Sequence, residues 1–404
     1  MNTILLFFLL VGAAISQTAA ALELDAQKRV DSFFSAFDKD PKQVMNALPR
    51  KYDKNGLLIK KANPKFSLND IQTGSYIDLK RNMREKRFKS FQFENGNSIF
   101  SESDLGNDPA DLFLESRVKT ASGLATPIFT KGNLSFEPWS GDYWPTHRMG
   151  IAVRYADRSY PRSNEWKPYN EFFLNLFRTP YDSPERFDDL SPAEKYDILV
   201  GDEDRSLTRW SVEEAAKYVK DGEIETWMGL CHGWAPASYM TPIPLKPVSY
   251  TMASGKNLTF FPDDIKGLTT LLWANAQVNS VFVGSRCNEK KPKKDPETGR
   301  IISSLCWDIN PMAWHLIIAN RIGADKTSFV MDATWDYEVW NQPVESYKIT
   351  YFDPETRKTS DKMEDVLISY NRFSKDKFAK YRSPKTKQLV GVMMDVTWVM
   401  ENSS

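Results

Sequence analysis

The fold of this chain is organised around the stretch Thr226-Trp-Met-Gly-Leu-Cys231-His-Gly-Trp-Ala-Pro-Ala237. Cys231 stands between two glycines, and proline is tolerated in the first turn of a helix but not deep inside one. The position of Pro236 therefore predicts a helix that begins near Gly233 and places Cys231 at its positive end. A helix N-terminus favours the thiolate, which is the form of cysteine that attacks carbonyl groups. The alternative interpretation is a small, buried, apolar cysteine.

The cysteine count supports a reactive thiol. The chain contains three cysteines, Cys231, Cys287 and Cys306. A polar, turn-rich stretch separates the last two, and apolar sequence flanks it on both sides, which predicts a surface loop closed by a Cys287–Cys306 disulfide. This pairing leaves Cys231 as the odd cysteine. In a secreted protein, an odd cysteine is either a reactive thiol or an intermolecular partner.

The first 21 residues predict a secretory signal peptide, because an apolar core over residues 4–15 is followed by small residues. No other apolar run approaches the length of a membrane helix, so we expect no membrane span in the mature chain. The protein is then expected to be secreted, either to the extracellular space or to the periplasm of a bacterium. The chain carries 53 basic and 53 acidic residues. Such a balance does not favour a nucleic-acid partner.

The remaining chain divides into two predicted parts. Residues 22–130 form an N-terminal helical and irregular segment, which is interpreted either as a pro-region or as a lobe of the main fold. It contains a predicted helix over residues 26–38, because apolar residues recur there at intervals of three and four. Residues 131–404 form the catalytic domain. Its expected elements are a strand over residues 151–155, helices that begin after the capping boxes at Ser191 and Ser211, a strand over residues 259–261 and a helix from Asp263.

The chain contains three histidines, each of which is a candidate base for Cys231. His232 follows Cys231 directly, and neighbours on a helix point in different directions. His147 lies in a turn-rich aromatic stretch. His315 opens an apolar run, and a second run ends at Asp332; read as a hairpin, these two strands bring His315 and Asp332 to the same end. This is the arrangement of a base and the acid that orients it. Asp336 is the alternative acid, and a core histidine and a strand-end turn residue are the non-catalytic interpretations.

Two stretches carry a family resemblance. Met228-Gly-Leu-Cys-His-Gly-Trp-Ala-Pro-Ala237 and Val339-Trp-Asn-Gln-Pro-Val344 resemble the transglutaminase elicitor family of secreted proteins from oomycete plant pathogens and bacteria. The resemblance implies an α+β fold with a core like that of papain-like cysteine proteases and transglutaminases. In such a core, a helix bearing the cysteine packs on an antiparallel sheet bearing the histidine and the aspartate, with an N-terminal extension outside it. The resemblance thus assigns Cys231 as nucleophile, His315 as base and Asp332 as the residue that orients it.

The resemblance also implies a reaction. The expected activity is that of a protein-glutamine γ-glutamyltransferase, which forms a thioester with a glutamine side chain and passes the acyl group to a lysine or another primary amine. Its partners would be protein substrates that carry glutamine and lysine, and the chain is expected to act as a monomer. Candidate side chains for the substrate and the oxyanion are Trp227, Trp234 and Trp314. A papain-like protease or a glutamine deamidase on the same triad is one alternative. A non-enzymatic surface or recognition protein, in which Cys231 is merely buried, is another.

Two further expectations follow from the family. Its activity is described as calcium-dependent, and the candidate clusters are Asp202-Glu-Asp204 and Asp263-Asp264; neither has the spacing of a known calcium loop. No organic cofactor is expected. The segment Trp340-Asn341-Gln342-Pro343-Val344 resembles the core of the family's surface peptide, which plant immunity recognises. Because proline is excluded from central strands, this segment predicts a loop or edge strand with Trp340 anchored and with Asn341 and Gln342 exposed.

Overall fold

The structure is a computed structural model that describes residues 26–46, 121–124, 126–179, 186–276, 283–284, 287–303, 306, 309, 311–334 and 337–401. The signal peptide predicted over residues 1–21, most of the segment 22–130 and Asp336 therefore lie outside the described residues. The described part combines helices with antiparallel sheets, as predicted.

The helices are α1 (residues 26–39), α2 (Pro41–Met45), α3 (Ala121–Leu124), α4 (Lys167–Arg178), α5 (Pro192–Leu199), α6 (Ser206–Ala216), α7 (Cys231–Met240), α8 (Pro262–Asn275) and α9 (Pro311–Ile318). The strands are β1 (Lys131–Asn133), β2 (Val248–Thr251), β3 (Asn257–Phe260), β4 (Val330–Asp332), β5 (Asn341–Phe352), β6 (Thr359–Ser360), β7 (Ile368–Ser369), β8 (Gln388–Leu389) and β9 (Gly391–Trp398).

The long strand β5 is the centre of the main sheet. It pairs in antiparallel fashion with β1, β4, β6 and β9, while β2–β3 and β7–β8 form separate two-stranded ribbons. In the pairing of β4 with β5, Asp332 lies opposite Asn341. The predicted antiparallel sheet that bears Asp332 is thus confirmed.

The first residues of β5 differ from the prediction, since Asn341–Val344 are neither a loop nor an edge strand. Pro343 pairs with Val330 of β4, and its carbonyl accepts a hydrogen bond from the Val399 N–H at 3.1 Å. Proline is accommodated because it stands near the start of the strand, where a missing N–H costs little of the ladder. Gln342 is buried rather than exposed, and its amide donates to the Glu401 carboxylate. The rest of β5 supplies the core residues that the sheet buries.

Helix α7 lies between helix α8 and the sheet. Its fully buried Trp234 packs with Trp139 and Val399, and α7 also contacts β4 and β5. At Gly233 the two helices approach so closely that a Cβ atom would stand 2.3 Å from the Thr270 carbonyl oxygen. Gly233 therefore serves helix packing, whereas the sequence predicted a helix boundary there. Helix α7 begins at Cys231, and Pro236 lies inside it.

The N-terminal helix α1 packs against the far end of the same sheet, which confirms the helix predicted over residues 26–38. The Arg29 guanidinium makes two hydrogen bonds to the Asp395 carboxylate of β9. The rings of Phe34 and Phe352 are 5.6 Å apart between centroids. Helix α1 is therefore part of the folded unit.

Between residues 150 and 276, some of the local sequence signals predicted the observed elements and others did not. The capping box at Ser191 and Glu194 is present and starts α5 as predicted. Helix α6 begins at Ser206 and not after Ser211, because the Asp197 carboxylate of α5 accepts hydrogen bonds from the first-turn N–H groups of Leu207 and Thr208. The strand predicted over residues 151–155 is also wrong: the turn Gly150–Ala152 is a 3₁₀ helix. The strand and the helix predicted near residues 259 and 263 are confirmed as β3 and α8.

Candidate functional site

Cys231 is the first residue of helix α7; it is 6% exposed and is not part of a disulfide. The preceding segment is fixed by the Leu230 N–H, which donates to the Tyr143 carbonyl at 2.6 Å. The other two cysteines form the predicted Cys287–Cys306 disulfide. The prediction that Cys231 stands at the positive end of a helix is confirmed, and the helix dipole there favours a negative charge on the sulfur.

Two groups, one at the start of β5 and one two residues before it, face the sulfur of Cys231. The side-chain amide Nδ2 of Asn341 donates to Sγ at 3.4 Å, and the Val339 carbonyl lies 3.7 Å from Sγ, where it accepts from the thiol. The carbonyl favours the protonated thiol. The amide donor stabilises a thiolate more than a thiol, because a hydrogen bond to a charged acceptor is stronger than one to a neutral acceptor. Asn341 is thus a side chain that can hold the sulfur in its reactive form.

Asp332 organises the segment that carries these groups. Its Oδ1 accepts hydrogen bonds from the Trp340 N–H at 3.1 Å and from the Thr334 N–H at 3.2 Å and hydroxyl at 3.0 Å. Since Asp332 also lies opposite Asn341 in the β4–β5 pairing, it fixes the point at which β5 starts. The structure thereby brings Cys231 and Asp332 to the same end of the sheet.

His315 lies elsewhere. It is buried in helix α9, so the predicted strand and hairpin are wrong; the apolar run continues as helix into the π-helical turn Ala319–Ala324. Its Nε2 is 3.3 Å from the hydroxyl of Tyr351, ten residues beyond Asn341 on β5 and roughly 30 Å along the strand. Burial lowers the pKa of His315 to about 4. The structure does not bring His315 to Cys231, and its role as base stays a prediction.

The other two histidines have different surroundings. His232 follows Cys231 on the exposed side of α7. His147 is buried in edge contact with the Tyr169 ring, and neither of its ring nitrogens makes a hydrogen bond to a residue that the structure describes. Burial, with a smaller effect of the Arg148 charge, lowers the pKa of His147 to about 4.

Aromatic residues surround the site, but not all of those predicted. Trp234 is a core residue, and Trp314 packs against Phe329 next to His315. Trp227 is buried four residues before Cys231, and its indole N–H donates to Glu225. Tyr143 was not among the site residues predicted from the sequence. Its ring centroid is 5.4 Å from that of Trp340; burial first, with smaller effects of nearby charges that include Cys231, raises its pKa.

Neither acidic cluster fits calcium. The carboxylate of Asp202 accepts backbone N–H groups at the start of α6, and the fully buried Asp264 is bonded to Lys195, Tyr155 and the Phe261 N–H. Within the described ranges, no group of three or more histidine, cysteine, aspartate or glutamate side chains could hold a metal ion.

The fold and the site define a protein of mixed helices and antiparallel sheets, with a cysteine outside any disulfide at the N-terminus of a helix beside the main sheet. The family model of the transglutaminase elicitors matches residues 113–404, and the chain belongs to this family. It is also similar to the crystal structure of the GP42 transglutaminase from Phytophthora sojae, with 24% sequence identity, 68% of each chain covered and a TM-score of 0.42. No curated protein matches the chain significantly. Among the described helices, none is long and apolar enough to cross a membrane.

Proposed function

We propose that this protein is a secreted protein-glutamine γ-glutamyltransferase with Cys231 as its nucleophile. The observation that carries the proposal is the amide of Asn341 at 3.4 Å from the Cys231 sulfur, at the N-terminus of a helix. A buried structural cysteine needs no such donor. Membership of the transglutaminase elicitor family supports the reaction class.

The proposed chemistry has two steps. The Cys231 thiolate attacks the carboxamide carbon of a glutamine side chain; a C–S bond forms, the C–N bond breaks and the nitrogen leaves as ammonia after gaining a proton. A neutral primary amine then attacks the thioester, loses a proton as its C–N bond forms, and releases the thiolate. The positive end of α7 lies beside the carbonyl oxygen that becomes negative in both steps.

The proton transfers require a general acid and base. His315 is proposed as the base on the family resemblance alone. In the described structure its ring lies against Tyr351 and away from Cys231. Asp332 is proposed to act on the site through the backbone, since it holds the Trp340 N–H and thereby the start of β5. This role differs from the orientation of a histidine.

The aromatic pair Tyr143 and Trp340 is proposed to exclude water from the thioester. Trp340 precedes Asn341, and Tyr143 lies beside the segment that leads into α7. Exclusion of water favours the amine over hydrolysis, which would convert glutamine to glutamate. The Trp340–Val344 segment therefore supports the site in addition to resembling the family's surface peptide.

The test is incorporation of biotinylated pentylamine into a glutamine-bearing protein, with ammonia release measured in parallel and in the presence of either calcium or a chelator. We expect incorporation by the parent and none by Cys231→Ser, while Met240→Gln at the exposed far end of α7 serves as a control. Ammonia release without incorporation would instead identify a deamidase, and cleavage of the test protein a protease. No reaction, together with a Cys231 inert to alkylation, would favour a recognition protein.

Secretion is the second part of the proposal. It is supported by the disulfide Cys287–Cys306, because disulfides persist in oxidising compartments, and by the signal-like first 21 residues. Sequencing the N-terminus of the exported protein tests it. A mature chain that begins near residue 22 is the expected result.

A further inference from the structure

A carboxylate that is largely but not fully buried, that of Glu225, lies six residues before Cys231 in the sequence. The Tyr337 hydroxyl and the Trp227 indole N–H both donate to Oε2 of Glu225, at 2.9 and 3.0 Å. The other oxygen, Oε1, is buried and accepts no hydrogen bond from any residue within the described ranges. Aromatic donors thus hold one oxygen of the carboxylate, and the other oxygen accepts no hydrogen bond from the described residues.

Lys290 approaches this second oxygen without donating a hydrogen bond to it. Its Nζ is 3.9 Å from Oε1 of Glu225 and 5.3 Å from the centroid of the Tyr337 ring. The Nζ atom is buried as well and makes no hydrogen bond to the described part of the chain. By contrast, the fully buried pair Lys195 and Asp264 closes to 2.6 Å. The contact between Lys290 and Glu225 is therefore an incomplete ion pair.

Burial disfavours the charged forms of both Glu225 and Lys290. Burial raises the pKa of Glu225, and burial likewise lowers the pKa of Lys290. Lys220 lies near enough to act on both groups and adds a second positive charge. Buried charges are normally paired and hydrogen-bonded, so two desolvated and unbonded charged atoms side by side are typical of a site built for a ligand.

The same two chain segments line this cluster and the surroundings of the Cys231 sulfur. Trp227 lies four residues before Cys231, and Tyr337 lies two residues before Val339, whose carbonyl faces Sγ. Lys290 belongs to a different segment, the loop held by the disulfide, three residues after Cys287. Lys290 can therefore leave the cluster without moving either wall of the site.

We propose that Glu225, Trp227 and Tyr337 form a subsite for a second ammonium group of the amine acceptor, and that Lys290 occupies it when the acceptor is absent. This inference rests on the proposed function, because the amine that reacts is another nitrogen of the same acceptor at Cys231. The carboxylate supplies the charge, and the face of the Tyr337 ring attracts a cation. The acceptors it selects are diamines, polyamines and lysines flanked by another basic residue.

The first test compares spermidine with pentylamine, which carries a single amine, as acceptors. We expect the parent to have a kcat/KM for spermidine about tenfold above that for pentylamine, as a charged contact of this kind implies. In Glu225→Gln this ratio should fall close to one. Glu213→Gln, which removes the same charge from the exposed face of α6, should keep the ratio of the parent. An equal ratio in the parent and in Glu225→Gln would overturn the proposal.

The second test needs no turnover. Calorimetric titration with spermidine should show tighter binding to Lys290→Gln than to the parent and weaker binding to Glu225→Gln. If Lys290 and Glu225 are only a structural pair, both variants melt at lower temperature and spermidine affinity does not change, which refutes the subsite. A parent that incorporates no pentylamine would refute the proposed function, and the titration would still decide the subsite.

Discussion

The role of Asn341 can be tested by removing one side-chain amide. Asn341→Ala keeps the backbone pairing with Asp332 and deletes only the donor at 3.4 Å from the Cys231 sulfur. A hydrogen bond to a charged group contributes about 1.5–3 kcal/mol. Its loss should therefore reduce the thiolate population, and with it the rate of alkylation by iodoacetamide at neutral pH, by roughly tenfold to a hundredfold. Acyl transfer should fall by a similar factor.

The measurement is a pH series of alkylation rates on the folded protein, with peptide mapping of the modified cysteine. In Asn341→Ala the rate should recover at high pH, where the thiol ionises without help. Asn341→Asp should be slower still at neutral pH, because it places a negative charge beside the sulfur. Ser346→Ala, five residues further along β5, is the control and should behave as the parent. Equal alkylation rates in Asn341→Ala and the parent would refute the role of the amide.

Three further predictions follow. Replacing His315 with glutamine should lower ammonia release by more than about a hundredfold if it is the base; unchanged release per folded molecule would limit it to a core role beside Tyr351. Truncating Trp340 to alanine should cost about 3 kcal/mol of unfolding free energy, and Gln342→Ala should also lower the melting temperature, because this side chain is buried and bonded to Glu401. Finally, the folded pKa of His147, about 4, lies below its ordinary 6.5, so its contribution to stability is complete above pH 6.5 and is lost as the pH falls towards 4. His147→Phe should thus make the melting temperature less sensitive to acid, because the free energy of unfolding that His147 loses near pH 4 is up to about 3 kcal/mol. A melting temperature that falls with pH as steeply as that of the parent would contradict this.

Most of the features predicted correctly from the sequence are set by residues that are close together in the chain. The capping box of α5 joins Ser191 to Glu194, three residues apart, and can be read directly. The start of α6 could not be read, because its cap is Asp197 on the preceding helix. His315 was assigned to a strand because a short apolar run has the same appearance in a buried strand and a buried helix. Pro311 at the first position of α9 was the available signal for a helix.

The candidate site was predictable only in part. Cys231 follows from the helix start and from the odd cysteine count, both of which are local or compositional. Asn341 was noted only as part of the surface-peptide motif, because its contact with Cys231 joins residues 110 positions apart. Such a contact depends on the register of β5 against β4, and a one-residue shift would turn Asn341 to the other face.

Helix α1 has a practical consequence for anyone who prepares this protein. The family match begins at residue 113, yet α1 precedes it and covers Phe352 of β5 and the Asp395 carboxylate of β9. A fragment cut at the family boundary would leave an aromatic ring and a charged strand bare at the end of the sheet, which invites aggregation. A protease site placed after residue 46 would allow α1 to be cleaved from the rest of the chain. Stability and activity with and without the contact between α1 and the sheet could then be compared in one preparation.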